Sequence, residues 1–249
     1  MIDVYYPYFQ KEAKWEELRY SLRSVERHLK EEFRIWIVGD LPAWIRNINH
    51  IAHTRCEGMQ ENTVFDSITK LLLFCDHPDT GSDFVRMYDD IYLISDVSLD
   101  EIRKVKALHE YKDLGFEGGT WHDQLHRTLN ILVEKGYPAW NTETHFPEVF
   151  NKYKMKWIIE AYNALDRRLL TSSLYFNTFF PEVQPLIFKK DYGIQFYENR
   201  DNEFYSSSEG NLEEKCKGKL YLNHNNSGLN ENLKKFMMKR FSKKSMFEK

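Results

Sequence analysis

The chain is short of cysteine, has no glycine-rich loop and carries little excess charge. Only three cysteines occur in 249 residues, Cys56, Cys75 and Cys216. They are odd in number, far apart and never spaced as C-x-x-C. That argues against a disulfide framework or a cysteine-based zinc site, and for a reducing compartment, so the expected location is cytoplasmic. Gly118-Gly119 lacks the partner glycines and the strand-loop-helix context of a phosphate-binding loop. No G-x-S-x-G elbow occurs either. A diphosphate bound here would therefore need a metal and basic side chains rather than a backbone nest. No apolar run approaches the roughly 20 residues that span a bilayer, so no transmembrane segment is expected. The opening MIDVYYPYF lacks a basic stretch followed by an apolar one, so no secretory leader is expected.

The net charge of −3 gives no overall basic field for nucleic acid. The exception is the basic run from Lys234-Lys235 through Lys239-Arg240 to Lys243-Lys244, with Phe236, Met237 and Phe241 between the charges. It reads first as a solvated amphipathic helix, and second as a patch for nucleic acid or a membrane surface.

Hydrophobic residues make up 42% of the chain and aromatics 15%, enough for a sizeable core. Ile2 to Tyr6 reads as a strand stopped by Pro7. Trp15, Leu18, Leu22, Val25 and Leu29 recur at helical spacing. Phe33 to Val38 is a short apolar, β-branched run, a buried strand ending at Gly39-Asp40. Strand, helix and strand in that order predict parallel pairing. A short strand over 50–54, a helix through Phe65, Ile68, Leu72 and Cys75, and a strand over 84–87 complete a doubly wound, nucleotide-binding pattern.

Beyond residue 100 the pattern is less regular. Helices are expected over 121–134 and 156–170, and short strands with loops over 171–221. With no repeat, low-complexity tract or linker, the chain reads as a single domain, 1–249, with halves 1–100 and 101–249. The fold expected is α/β, Rossmann-like, with a mostly parallel sheet, helices on both faces and a less regular C-terminal lobe.

Several residues have the right chemistry for a site. Asp89-Asp90 ends an apolar strand, at the carboxyl edge where open α/β sheets bind ligands. Adjacent carboxylates are costly without a positive partner, and hard oxygen ligands suit Mn²⁺ or Mg²⁺. A solvated charged turn is the plainer alternative. Lys70 lies one turn after Asp66, and spacing alone reads the two as a surface ion pair. His122 and His126 have zinc-helix spacing, but Asp123 stands where such motifs carry Glu and no third ligand follows, so an amphipathic helix face is the better fit. His145, in the polar loop 141–147, is an acid/base or phosphate candidate, as against a hydrogen-bonded loop residue. His224 could be a third metal ligand or part of an asparagine-rich turn, and Asp201 or Glu203 a general base or a charged turn.

Taken together, some of these stretches resemble a known family. Glu17-Leu18-Arg19-Tyr20-Ser21-Leu22-Arg23-Ser24, then Ile37-Val38-Gly39-Asp40 and Pro42-Ala43-Trp44, resemble the opening of Stealth-type capsule sugar-phosphotransferases and related GT-A glycosyltransferases. Phe84 to Leu93 is similar to their strand ending in an acidic pair, and residues 141–147 to their asparagine…T-H-x-P segment. Residues 173–177 and 241–248 resemble late segments of such enzymes.

The resemblance implies a GT-A fold, a nucleotide-sugar donor such as a UDP-sugar, a glycan or other hydroxyl acceptor, and a divalent metal at Asp90 with Asp89. A late histidine, here His224, closes the metal shell in many relatives. The resemblance makes Lys70, Arg19 and Arg23 donor-phosphate contacts and His145 a donor-binding or catalytic residue. It sets the nucleotide near Tyr5, Pro7 and Asp40, with Asp201 facing the acceptor. The chain departs from the family at Tyr5-Tyr6-Pro7-Tyr8-Phe9, where Stealth proteins carry a tryptophan-valine-aspartate-glycine run. This favours glycosyl transfer over sugar-1-phosphate transfer. Glycosylation of modified DNA bases, a non-catalytic nucleotide-sugar-binding module and a zinc hydrolase are the remaining alternatives.

Overall fold

The computed structural model describes residues 1–55, 63–115, 118–188, 192–196 and 212–249. Asp201, Glu203 and Cys56 lie outside the described residues. The chain opens with strand β1 (Ile2–Tyr8), helix α1 (Glu17–His28), strands β2 (Phe33–Gly39) and β3 (Asn49–Ala52), helix α2 (Thr63–Asp76) and strand β4 (Asp83–Arg86). Strand β5 (Ile91–Leu93) and helix α3 (Thr120–Glu134) follow, then strand β6 (Glu148–Asn151) and helices α4 (Lys152–Ala161), α5 (Ala164–Arg167) and α6 (Thr171–Phe179). Strand β7 (Gly193–Phe196), helix α7 (Leu212–Cys216), strand β8 (Tyr221–His224) and helix α8 (Glu231–Arg240) end the series.

The central sheet has the order β3-β2-β1-β4-β6. Its first four strands are parallel, and β6 runs antiparallel to β4. The fold is thus mixed α/β around a mostly parallel sheet. Side-chain alternation assigns the two faces. Tyr5, Trp36, Val38 and Phe84 pack with α2 and α4 residues such as Phe74 and Met155. Val4, Tyr6, Ile35, Ile37 and Val85 pack with Leu18, Leu22 and Val25 of α1. A second sheet, β7-β8-β5, is covered by α8 through Leu233, Phe236 and Met237. The basic run is thus a packed amphipathic helix as far as Arg240, with Lys235 and Lys239 outward, and Lys243-Lys244 lie beyond its end. Among the described residues no helix is long and apolar enough to cross a membrane.

Three local expectations need correction. Pro7 does not stop β1. The carbonyl of Tyr5 accepts from Met87 N, so odd residues of β1 face β4, and β4 ends at Arg86. The missing N–H of Pro7 falls where no ladder bond is required. The 156–170 helix is in fact two, α4 and α5, broken at Asn163, whose φ of 49° is left-handed. Residues 171–179 form a helix rather than strand and loop. Thr171 to Asn177 are all buried, so this helix has no solvent-exposed face to set a 3.6-residue polar–apolar period.

Candidate functional site

The acidic pair sits where the chain leaves one sheet for the other. β4 ends at Arg86, and the Asp89-Asp90 turn closes with Ile91 N donating to Tyr88 O at 3.2 Å. Two serines of α1 pin the turn. The Ser21 hydroxyl donates to Ile91 O at 2.6 Å, and the Ser24 hydroxyl accepts from Leu93 N at 3.0 Å. The Tyr-Ser-Leu-Arg-Ser stretch of α1 thus supports the turn from behind.

His145 reaches the pair from the loop before β6. Its Nε2 lies 2.8 Å from Asp90 Oδ1, and its ring stacks on Tyr88 at 5.0 Å. Its φ is 54°, a left-handed conformation uncommon outside glycine, and its carbonyl accepts from the Asn223 side chain. Next along the loop, Phe146 is buried against Phe188 and Tyr221 and anchors the segment. Burial opposes the charged imidazole, but Asp90 outweighs it and holds His145 above its ordinary value. Burial likewise opposes the Asp90 carboxylate, yet His145 and then His224 hold it below the usual range. Asp89 behaves in the opposite way. Burial, then Asp90, then Glu17 push its carboxyl up to about 8.

Two chambers meet at this point. One of about 420 Å³ is lined by Pro7, Phe9, Arg55, Lys70 and Asp89. The other, about 760 Å³, is lined by Arg86, Trp121, Glu143, His145 and Glu148. Tyr88, Asp90, His224 and Asn225 line both, so the acidic turn forms the sill between them.

In the first chamber Lys70 is only 2% exposed. Its ion pair with Asp66, at 2.8 Å, is therefore a buried one and not the surface pair that spacing suggests. Asp66 also meets Arg55 at 3.0 Å and His53 at 2.9 Å, while Lys70 donates to Tyr8 O at 3.1 Å. Burial works against the Asp66 carboxylate, and Lys70, His53 and Arg55 together hold it below its ordinary value. Arg55 lies over the Phe9 ring at 4.1 Å. Gly39, at φ 124°, makes room here, since a Cβ would come within 2.0 Å of Tyr8 O and 3.1 Å of Lys70 Cε.

The other residues expected at a donor site lie elsewhere. Tyr5 is buried in the core against Phe74 and Phe84 and does not reach the cleft. Asp40 accepts from Gln10 N at 2.9 Å, outside both chambers. Arg23 clamps Glu248 through two hydrogen bonds of 2.6 and 2.7 Å and donates to Phe241 O. Arg19 pairs with Glu16 and Glu248 and covers Trp44. Both arginines hold the C-terminal segment against α1 rather than facing a ligand. Sequence reading missed Arg55, Glu143 and the buried Arg86–Glu148 pair, because their neighbours come from segments far apart in the chain.

No family model matches the chain, and no curated protein matches it.

Asp89 and Asp90 fit a hard cation. Two carboxylates share one turn, and Asp89 is raised by burial first and by the adjacent Asp90 charge second. Two carboxylates alone would leave most of such a cation's shell to groups from outside the pair. His224 does not close it. Its Nε2 pairs with Tyr92 OH at 3.0 Å and its Nδ1 with Asn225 O at 3.1 Å, so both ring nitrogens are committed within the protein. Among the described residues no group of three or more His, Cys, Asp or Glu is placed to hold a metal, and this includes His122 and His126.

Asp89 also supplies a pH test. A carboxyl whose folded value lies above its ordinary 3.8 favours the native state only while protonated, and that contribution is lost as pH rises from about 4 to about 8. In chelator, Asp89→Asn is expected to melt with the wild type near pH 4 and progressively above it up to about pH 8. The gain, discounted for water in the cleft, is on the order of 1–3 kcal/mol, at about 2–4 °C per kcal/mol. A melting difference that stays flat with pH would remove the basis for an unusual Asp89.

Proposed function

We propose that this chain is a metal-dependent glycosyltransferase that moves a sugar from a nucleotide-sugar to an acceptor hydroxyl. The observation that carries the proposal is the Asp89-Asp90 turn at the sill between two chambers, backed by the His145–Asp90 ion pair. Asp89 and Asp90 would hold Mn²⁺ or Mg²⁺, which when bound neutralises charge on a leaving diphosphate. Lys70 and Arg55 line the first chamber as further cations for the donor, each already oriented by Asp66. His145, bonded to Asp90 through Nε2 at 2.8 Å, would orient that carboxylate at the sill. The larger chamber faces the same turn and is open to an acceptor.

The assay is release of nucleotide from a panel of nucleotide-sugars with and without Mn²⁺. Metal-dependent release of the nucleoside diphosphate is expected. Release of the monophosphate would replace the proposal with sugar-1-phosphate transfer. Binding that raises the melting temperature without turnover would leave a nucleotide-sugar-binding module.

A further inference from the structure

The second chamber holds features that donor activation leaves unused. Trp121, on the first turn of α3, lines it with 41% of its surface exposed, set edge-on to His122 at 5.0 Å. An indole left this open at a cleft wall is a flat apolar platform with a polar edge. Glu143 lines the same space, its carboxylate accepting from Ser173 N at 2.8 Å. Burial holds this carboxyl above its usual range, against the pull of Arg86.

The charge balance of this chamber is unfavourable to anionic occupants. Arg86 is spent on Glu148 at 2.6 Å, and His145 on Asp90 at 2.8 Å. Asp113 and Glu143 add negative charge to the lining. A phosphorylated or nucleic-acid ligand would meet no uncommitted cation among the described lining residues. Asn141 and Gln195 add amide groups to the walls. A space of about 760 Å³ is large enough for one or two sugar rings.

We infer that the second chamber binds a neutral carbohydrate, with Trp121 stacking on a sugar face and Glu143 accepting a hydrogen bond from a sugar hydroxyl. As an acceptor site this rests on the transferase proposal; as a binding site it does not. In transfer, the acceptor oxygen would bond to the anomeric carbon as the carbon–diphosphate bond breaks. The hydroxyl proton would pass to Glu143, and the nucleoside diphosphate would carry away the electron pair.

The test is saturation-transfer NMR and titration calorimetry with neutral mono- and disaccharides of glucose, galactose, xylose and N-acetylglucosamine. Both are run with and without a nucleoside diphosphate and Mn²⁺. Saturable binding is expected, weakened at least tenfold by Trp121→Ala and several-fold by Glu143→Gln. Trp157→Ala, exposed but remote from the chamber, should leave it unchanged. No saturable binding across the panel, or binding indifferent to Trp121→Ala, would overturn the inference. So would anionic oligonucleotide binding that is lost in Trp121→Ala. If sugars bind but no nucleotide-sugar turns over, transferase activity falls and the carbohydrate site stands. If turnover proceeds with an acceptor KM that Trp121→Ala does not move, the transferase stands and the carbohydrate site falls.

Discussion

Asp90→Asn is expected to lower nucleotide-sugar turnover by roughly 10²–10³ while leaving the fold intact, the scale seen when one preorganised electrostatic partner is removed. Asparagine keeps the shape of the side chain but removes the charge that faces His145 at 2.8 Å. Two consequences follow that need no substrate. His145 is held above its ordinary value only because Asp90 outweighs burial, so in the variant it should titrate lower, as ring-proton NMR can follow. Asp89 loses the neighbouring carboxylate that helps raise it, so it should titrate lower too.

The pH dependence of stability changes in step. His145, raised, stabilises the native state below its ordinary value, and that contribution is lost as pH climbs through its folded value. Asp90, lowered, stabilises above the ordinary carboxylate value, and that contribution is lost as pH falls through its folded value. The pair therefore stabilises most between those limits, and Asp90→Asn should flatten that window. Near-wild-type turnover with metal present would sink the assignment of Asp90, and an unchanged His145 titration would sink the electrostatic account.

The second large effect concerns stability. Arg86→Met is expected to cost about 3–5 kcal/mol, because it leaves Glu148 buried without its counter-charge. Both side chains are only 6% exposed, and Arg86 also bonds Thr171 and Ser172. At about 2–4 °C per kcal/mol, the melting temperature should fall by roughly 10 °C. Adding Glu148→Leu to Arg86→Met should recover most of the loss, since a well-packed apolar pair avoids the desolvation that an unpaired carboxylate suffers. A cost below 1 kcal/mol for the single change would mean that water reaches Glu148 from the chamber.

Much of the framework was legible from residue patterns. The strand over 33–38 and the helices around 65–75 and 121–134 all form, because short apolar runs and 3.6-residue stripes reflect one buried face. Helix α6 was not legible, because burial on every side erases the stripe. Lys70 shows a subtler limit. Its pairing with Asp66 is visible in the spacing, but its burial depends on Tyr8, Gly39 and Arg55, which arrive from three other segments. Arg19 and Arg23 are the converse case, where a motif that looked like a phosphate grip is answered by Glu248, more than 220 residues away.

The sequence by itself determined the parallel α/β framework and the position of Asp89-Asp90 at the end of an apolar strand, because both follow from local periodicity. Only the tertiary structure decided what surrounds that pair. It brought His145 onto Asp90, turned His224 toward Tyr92 instead, and made Arg86 the partner of Glu148. Those outcomes depend on contacts between residues 55 to 132 positions apart, where packing and charge compensation, rather than spacing along the chain, select the partner.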